Sequence, residues 1–217
     1  MAKTKAATTT KPKVGVTIAP PNFQVGEFLI RGDSPYVQNK FSDKARQQMH
    51  DTQEAGPTAK KGKKREPKDF KQCFTDAMYK SEAGWAGIPA PAFRNACISA
   101  CRVCGFQMTK AKLSIVCLAD GYDPSDGTPL VKITKGKPVY SELPVRNATG
   151  VIDLRARPMW HPGWEAKVRL RWDADQFTLA DVSNLLHRVG LQVGIGEGRN
   201  DSKSSNGVGW GSFEIVN

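Results

Sequence analysis

Residues Glu165 to Trp172 alternate strictly. Ala166, Val168, Leu170 and Trp172 share one side, and Lys167, Arg169 and Arg171 share the other. A period of two predicts a strand with one buried and one basic face. The period then lengthens. Leu179, Val182, Leu185, Leu186 and Val189 recur at helical spacing, with Thr178 at the N-cap, Asp181 three residues on, and Gly190 as a stop. Further upstream, Pro91 suits a first helical turn. From there to Gly105 the chain reads as a helix with Phe93, Cys97, Ala100, Cys101 and Cys104 on one apolar face. The run from Leu113 to Leu118 predicts a buried strand. Glu27 to Arg31, Val131 to Ile133 and Val139 to Val145 predict further strands, and Leu191 to Ile195 and Trp210 to Val216 are short apolar pieces at the end of the chain. Helical spacing returns at Phe70, Cys73, Phe74, Ala77 and Met78, and at Phe41, Ala45 and Met49 within Lys40 to Met49.

Between these segments the pattern breaks. Residues 1–13 are Lys, Thr and Ala without periodicity and read as a flexible basic arm. From Asp51 to Lys68 apolar side chains almost vanish while Lys60, Lys61, Lys63, Lys64, Arg65 and Lys68 accumulate, which predicts a solvated, mobile insertion that touches a phosphate backbone. Residues 14–217 then form one domain carrying that insertion at about 51–68. Stripped of insertions, the order is β-α-β-β-α-β. That predicts an α+β fold of the ferredoxin-like kind, with helices on one face of a sheet and the other face open to a ligand or partner.

Charge narrows the partners. The 217 residues hold 32 Lys and Arg against 21 Asp and Glu, a net charge of +11 and a pI near 9.5, which favours a polyanion such as nucleic acid. No apolar run approaches a membrane span, and no apolar stretch follows the basic N-terminus as in a secretory signal, so a soluble protein of the cytoplasm (the host's, if viral) is expected, with no membrane partner. The five cysteines are Cys73, Cys97, Cys101, Cys104 and Cys117. Their odd number argues against a disulfide framework. Cys97, Cys101 and Cys104 make three quarters of a zinc site, but no second ligand pair completes it, and core packing on one helix face accounts for them. No cofactor is expected.

Gly194, Gly196 and Gly198 form a G-x-G-x-G after a short apolar piece, followed by Arg199, Lys203 and a second glycine-rich stretch from Gly207 to Gly211. The helix that a dinucleotide loop requires does not follow, because residues 200–206 are Asn, Asp, Ser and Lys. Glycines at this density permit positive φ and the close approach of another backbone. The loop can therefore lie against a sugar-phosphate chain, or it can be a hairpin tip.

This loop resembles the glycine-rich loop of the RAMP superfamily, whose members include CRISPR backbone subunits and crRNA-processing nucleases. The segment Gly87-Ile88-Pro89-Ala90-Pro91-Ala92-Phe93-Arg94 resembles that family's helix-opening hallmark, with Arg94 as the basic residue near the helix start. Ser34-Pro35 and the basic stretch Lys40 to Arg46 are similar to a group of uncharacterised tailed-phage proteins. The resemblance implies an RRM-like core that binds single-stranded RNA or DNA through its backbone and self-associates along the strand. Residues compatible with that role are Arg155, Arg157, His161, Lys167, Arg169, Arg171 and Arg199, with Trp160, Trp164 and Trp210 as stacking platforms. Core packing is the alternative for each Trp, and Trp172 and one other are expected to be buried. Two other classes stay open. One is an endoribonuclease, for which His50, His161, His187, Asp33 and Asp43 are the available acids and bases, without supporting spacing. The other is a structural assembly or virion protein.

Overall fold

The computed structural model describes residues 18–54, 56, 67–146, 152–201 and 208–216. The expected N-terminal arm, Lys60, Lys61, Lys63, Lys64, Arg65 and Lys203 lie outside the described residues. In chain order the elements are β1 (Phe23–Gly32), β2 (Tyr36–Val37), α1 (Asp43–Glu54), α2 (Phe70–Asp76), β3 (Gly87–Pro89), α3 (Ala90–Val103), α4 (Met108–Ser114), β4 (Ile115–Leu118), β5 (Gly121–Tyr122), β6 (Pro129–Lys135), β7 (Val139–Arg146), β8 (Ile152–Trp160), β9 (Glu165–Asp173), α5 (Leu179–Arg188) and β10 (Phe213–Ile215). The fold is mixed α+β with antiparallel sheets.

The alternating strand is the axis of the larger sheet. β9 pairs with β1 along nearly its whole length, from Phe23 opposite Asp173 to Arg31 opposite Glu165. On its other edge it pairs with β4 and then with β6. β10 closes the far side of β1 at Ile30 to Gly32. Ala166, Val168, Leu170 and Trp172 point inward as their period requires, and α3 and α5 cover that face. β7 and β8 form a long hairpin that continues into β2 as a separate three-stranded sheet.

The helix after β9 begins with the expected cap. The Thr178 hydroxyl accepts from the Asp181 N–H at 3.1 Å, and the Asp181 carboxylate accepts from the Thr178 hydroxyl at 2.7 Å and from the Thr178 N–H at 2.9 Å, bonds that hold the Asp181 carboxyl below its usual range. Its end departs from expectation. Gly190 does not stop the helix: a π-helical turn runs from Val189 to Val193, and Gly194 ends it at φ +75°. Gly190 serves closeness instead, because a Cβ there would stand 1.9 Å from the Phe213 carbonyl oxygen. The apolar piece Leu191 to Ile195 is therefore helical turn and loop, and Leu179 points to solvent.

Three other expectations are corrected. Leu113 and Ser114 belong to α4, so the buried strand starts only at Ile115, and Leu113 is 81% exposed. Asp51 to Glu54 form the last turn of α1, a helix with no buried residue, rather than the start of the insertion. Cys104 ends α3 exposed, whereas Cys97, Cys101 and Cys117 lie in the core. Burial pushes these three thiols up, Cys101 to about 11 and Cys117 to about 12, so they pack as neutral side chains. Among the described residues no group of three or more His, Cys, Asp or Glu could hold a metal ion, and no helix is long and apolar enough to cross a membrane.

Candidate nucleic-acid interface

Two regions gather the basic and glycine residues singled out by the sequence. The first is the open face of the larger sheet. Here Lys167 lies 3.3 Å from Glu27 on the neighbouring strand. Arg169 donates to Asp120 at 2.8 Å and to the Ala119 carbonyl at 2.7 Å. Arg171 stacks over Phe23, its guanidinium carbon 4.9 Å from the ring centre. One step along, Glu165 accepts from Arg31 at 2.9 Å and from Lys135 at 3.1 Å, and these bonds hold its carboxyl below the usual range. Val25, Leu29, Val116 and Leu118 lie between the charges, half-buried or exposed. The face is a mosaic of ion pairs and apolar side chains, with each of its three expected basic residues engaged.

The second region is the glycine-rich loop, packed against the turn and short strand that follow β1. Gly194, Gly196, Gly198, Gly209 and Gly211 all have φ between +72° and +80°. In this region only glycine is unstrained. The close approach that they permit is to the chain itself. A Cβ on Gly196 would stand 2.5 Å from the Val37 carbonyl oxygen, and one on Gly211 would stand 1.7 Å from that of Ile195. Backbone donors are engaged too: Glu197 N–H bonds Val37 at 2.9 Å, Ile195 bonds Gly211 at 3.0 Å, and Gly211 bonds Pro35 at 2.8 Å. Ser212 reaches back to the turn after β1, where its N–H donates to the Ser34 hydroxyl at 2.9 Å and its hydroxyl donates to Asp33.

Tryptophans fix this end of the molecule. Trp160 and Trp164 each lie 5.5 Å from the Tyr36 ring, and both are fully buried. The Trp164 Nε1 donates to the Ser34 carbonyl at 3.0 Å, and Gly32 is required beneath it, since a Cβ there would stand 1.9 Å from that nitrogen. The expectation that Trp160 and Trp164 stack on bases is thus overturned: both rings are committed to the core. Trp210 is half-buried against Gly198.

The remaining expected residues are dispersed. His161 is exposed in the turn joining β8 to β9. Arg155 lies 3.7 Å from Asp153 on its own strand. Arg94 donates to the Lys112 carbonyl, tying α3 to α4. Arg199 donates to the Gly196 carbonyl at 2.8 Å. Arg157 donates through Nε to Glu197 at 2.9 Å, joining the hairpin to the loop. The other two histidines lie on separate helices, His50 on α1 and His187 on α5.

A polar seam carries no signal in the sequence. Lys40 donates to Asp123 at 2.7 Å and to the Ser125 hydroxyl at 2.6 Å, with both members of the ion pair almost fully buried. Burial alone would raise the Asp123 carboxyl, but bonds from Lys40, Ser125 and the Lys80 N–H outweigh it and hold it below its usual value. Gln38 is buried beside it, donating to the Gly87 carbonyl at 2.6 Å and accepting from the Tyr79 N–H at 3.0 Å. The Asp123-Pro124-Ser125-Asp126-Gly127 stretch signals a turn, but nothing local points to a lysine 83 residues away.

No protein-family model matches the chain, and no curated protein matches it.

Proposed function

We propose that the chain binds single-stranded nucleic acid, RNA or DNA, through the sugar-phosphate backbone and with little sequence preference. The observation that carries this reading is the division of charge. Of the net charge of +11, four lie within residues 1–17 and four within 57–66, so most of the excess is concentrated in two short basic stretches of the sequence. Polyanion affinity comes from cations that replace condensed counterions on phosphates, and clustered cations can do so on successive phosphates of one strand. Residues near the basic segments 57–66 and 202–207 in sequence are tied to β8. Lys68, just after the first, bonds Asp153 and the Leu154 carbonyl, and Glu197, ahead of the second, bonds Arg157.

The same proposal reads the core as ferredoxin-like and RRM-like, in keeping with the resemblance to RAMP proteins. The neighbour order β10-β1-β9-β4 supports it, with every pairing antiparallel, α3 connecting β1 to β4 and α5 connecting β9 to β10. In that reading the hairpin and the basic segment are insertions, and copies of the chain line up along one strand.

A fluorescence-anisotropy titration with ssRNA, ssDNA and duplex of equal length tests the proposal. Both single strands should bind more tightly than the duplex, with log K falling linearly in log salt and with stoichiometry rising with strand length. Absence of binding at low salt, or affinity indifferent to salt, would overturn it.

A further inference from the structure

Glu197 stands among glycines and cations, flanked by Gly196 and Gly198 and followed by Arg199 and Lys203. Its N–H is fixed to the Val37 carbonyl, and the Gly196 carbonyl ahead of it is fixed by Arg199. The loop backbone is therefore held while the Glu197 side chain alone reaches across to β8. There its carboxylate accepts from Arg157 Nε at 2.9 Å, with the Arg157 side chain 12% and the Glu197 side chain 20% exposed. The Arg157 Nη1 donates to the Ala156 carbonyl at 3.0 Å, which orients the guanidinium toward the loop.

A carboxylate and a phosphate present a guanidinium with the same paired anionic oxygens. We infer that Arg157 is a phosphate subsite of the nucleic-acid interface and that Glu197, seated on it, is the competitor that a strand's phosphate must displace. The inference rests on the nucleic-acid reading above. The exchange needs only a side-chain rotation, because the backbone on both sides is pinned. It makes the subsite selective: a polyanion held at other cations can displace the carboxylate, whereas an isolated phosphate has no such support. Glu197 is then a specificity determinant for long, multiply charged ligands.

Anisotropy titration of oligothymidylate and oligouridylate against Glu197→Gln tests this. The glutamine keeps the size of the side chain and removes its charge. Affinity should rise about tenfold, equal to roughly 1.4 kcal/mol, which is at the lower end for a charge-assisted hydrogen bond. The log–log salt slope should steepen by about 0.7, the increment for one more single-strand phosphate neutralised. Arg157→Gln added to Glu197→Gln should cancel both gains. Glu82→Gln, which removes an acid outside this region, should leave the slope unchanged. Glu197→Ala should reproduce the gain if Glu197→Gln lowers the melting temperature. If the wild type binds but Glu197→Gln is no tighter than Glu82→Gln, or if the gain survives without Arg157, the inference falls and the nucleic-acid reading stands. If none of the proteins binds either oligonucleotide, both fall.

Discussion

The open face of the larger sheet and the glycine-rich end of the molecule read alike in sequence, since each combines basic residues with a surface accessible to a ligand. They fold to different ends. On the sheet, the register of β1 against β9 sets Glu27 beside the Lys167 and Arg169 row, and Asp120 reaches Arg169 from the turn after β4. The charges are matched across strands, as cross-strand pairs in sheets commonly are. At the other end, glycines let segments of the chain pack backbone to backbone, and the ion pair that results, Arg157 with Glu197, is half-buried and single. A basic strand face thus says which way the cations point, while the neighbouring strand decides whether they are available.

The sharpest way to separate the two regions is through stability. Gly211→Val puts side-chain atoms on the Ile195 carbonyl and demands a positive φ of a β-branched residue, so unfolding free energy should fall by roughly 2–6 kcal/mol in a urea titration. A silent substitution would mean that the loop is not packed as described. Next in size is the buried seam. Lys40→Met leaves Asp123 charged without its cation, held only by Ser125 and the Lys80 N–H, at a cost of about 3–5 kcal/mol. The same pair sets an acid limit. Because the folded Asp123 value lies below the unfolded one, its contribution is complete above about pH 4 and is lost as pH falls through the folded value. Asp123→Asn should therefore melt earlier at neutral pH and show a flatter decline in acid, and a decline as steep as the wild type's would assign acid unfolding to other carboxylates. On the sheet face the effects are small. Arg169→Gln should change stability by about 1 kcal/mol or less, as for other exposed pairs. Smallest is Cys104→Ser, within about 0.5 kcal/mol because the thiol is exposed, while Cys97→Ser should be clearly destabilising.

What the sequence disclosed follows from the range of the interactions concerned. The facing of β9, the box that starts α5 and the apolar stripe of α3 depend on residues a few positions apart, and all are found. Strand ends are less legible. The apolar run at Leu113 contains one more helical turn because α4 delivers the chain into β4, and apolar residues alone do not separate the two. Gly190 reads as a stop, since close approach to β10 and helix termination ask for the same residue. Around the site, His161 is exposed, as its proline-flanked turn suggests, and Trp210 is half-buried. Trp160 and Trp164 are not legible locally, because their burial depends on Tyr36, more than 120 residues earlier. Glu197 and the Lys40–Asp123 pair are illegible for the same reason: each draws its meaning from a partner brought near only by the folded chain.

The central claim is that affinity for single strands resides in the basic segments and the glycine-rich end rather than on the open sheet. Salt-dependent titration of one oligonucleotide tests it most directly, comparing the wild type with two charge-removal variants. In the first, Lys60, Lys61, Lys63, Lys64 and Arg65 become Ser; in the second, Lys167 and Arg169 become Gln. The account predicts that the slope flattens in the first variant, by about 0.7 for each phosphate that is no longer neutralised, and stays unchanged in the second. A slope that holds in the first and collapses in the second would place the strand on the sheet and contradict the account.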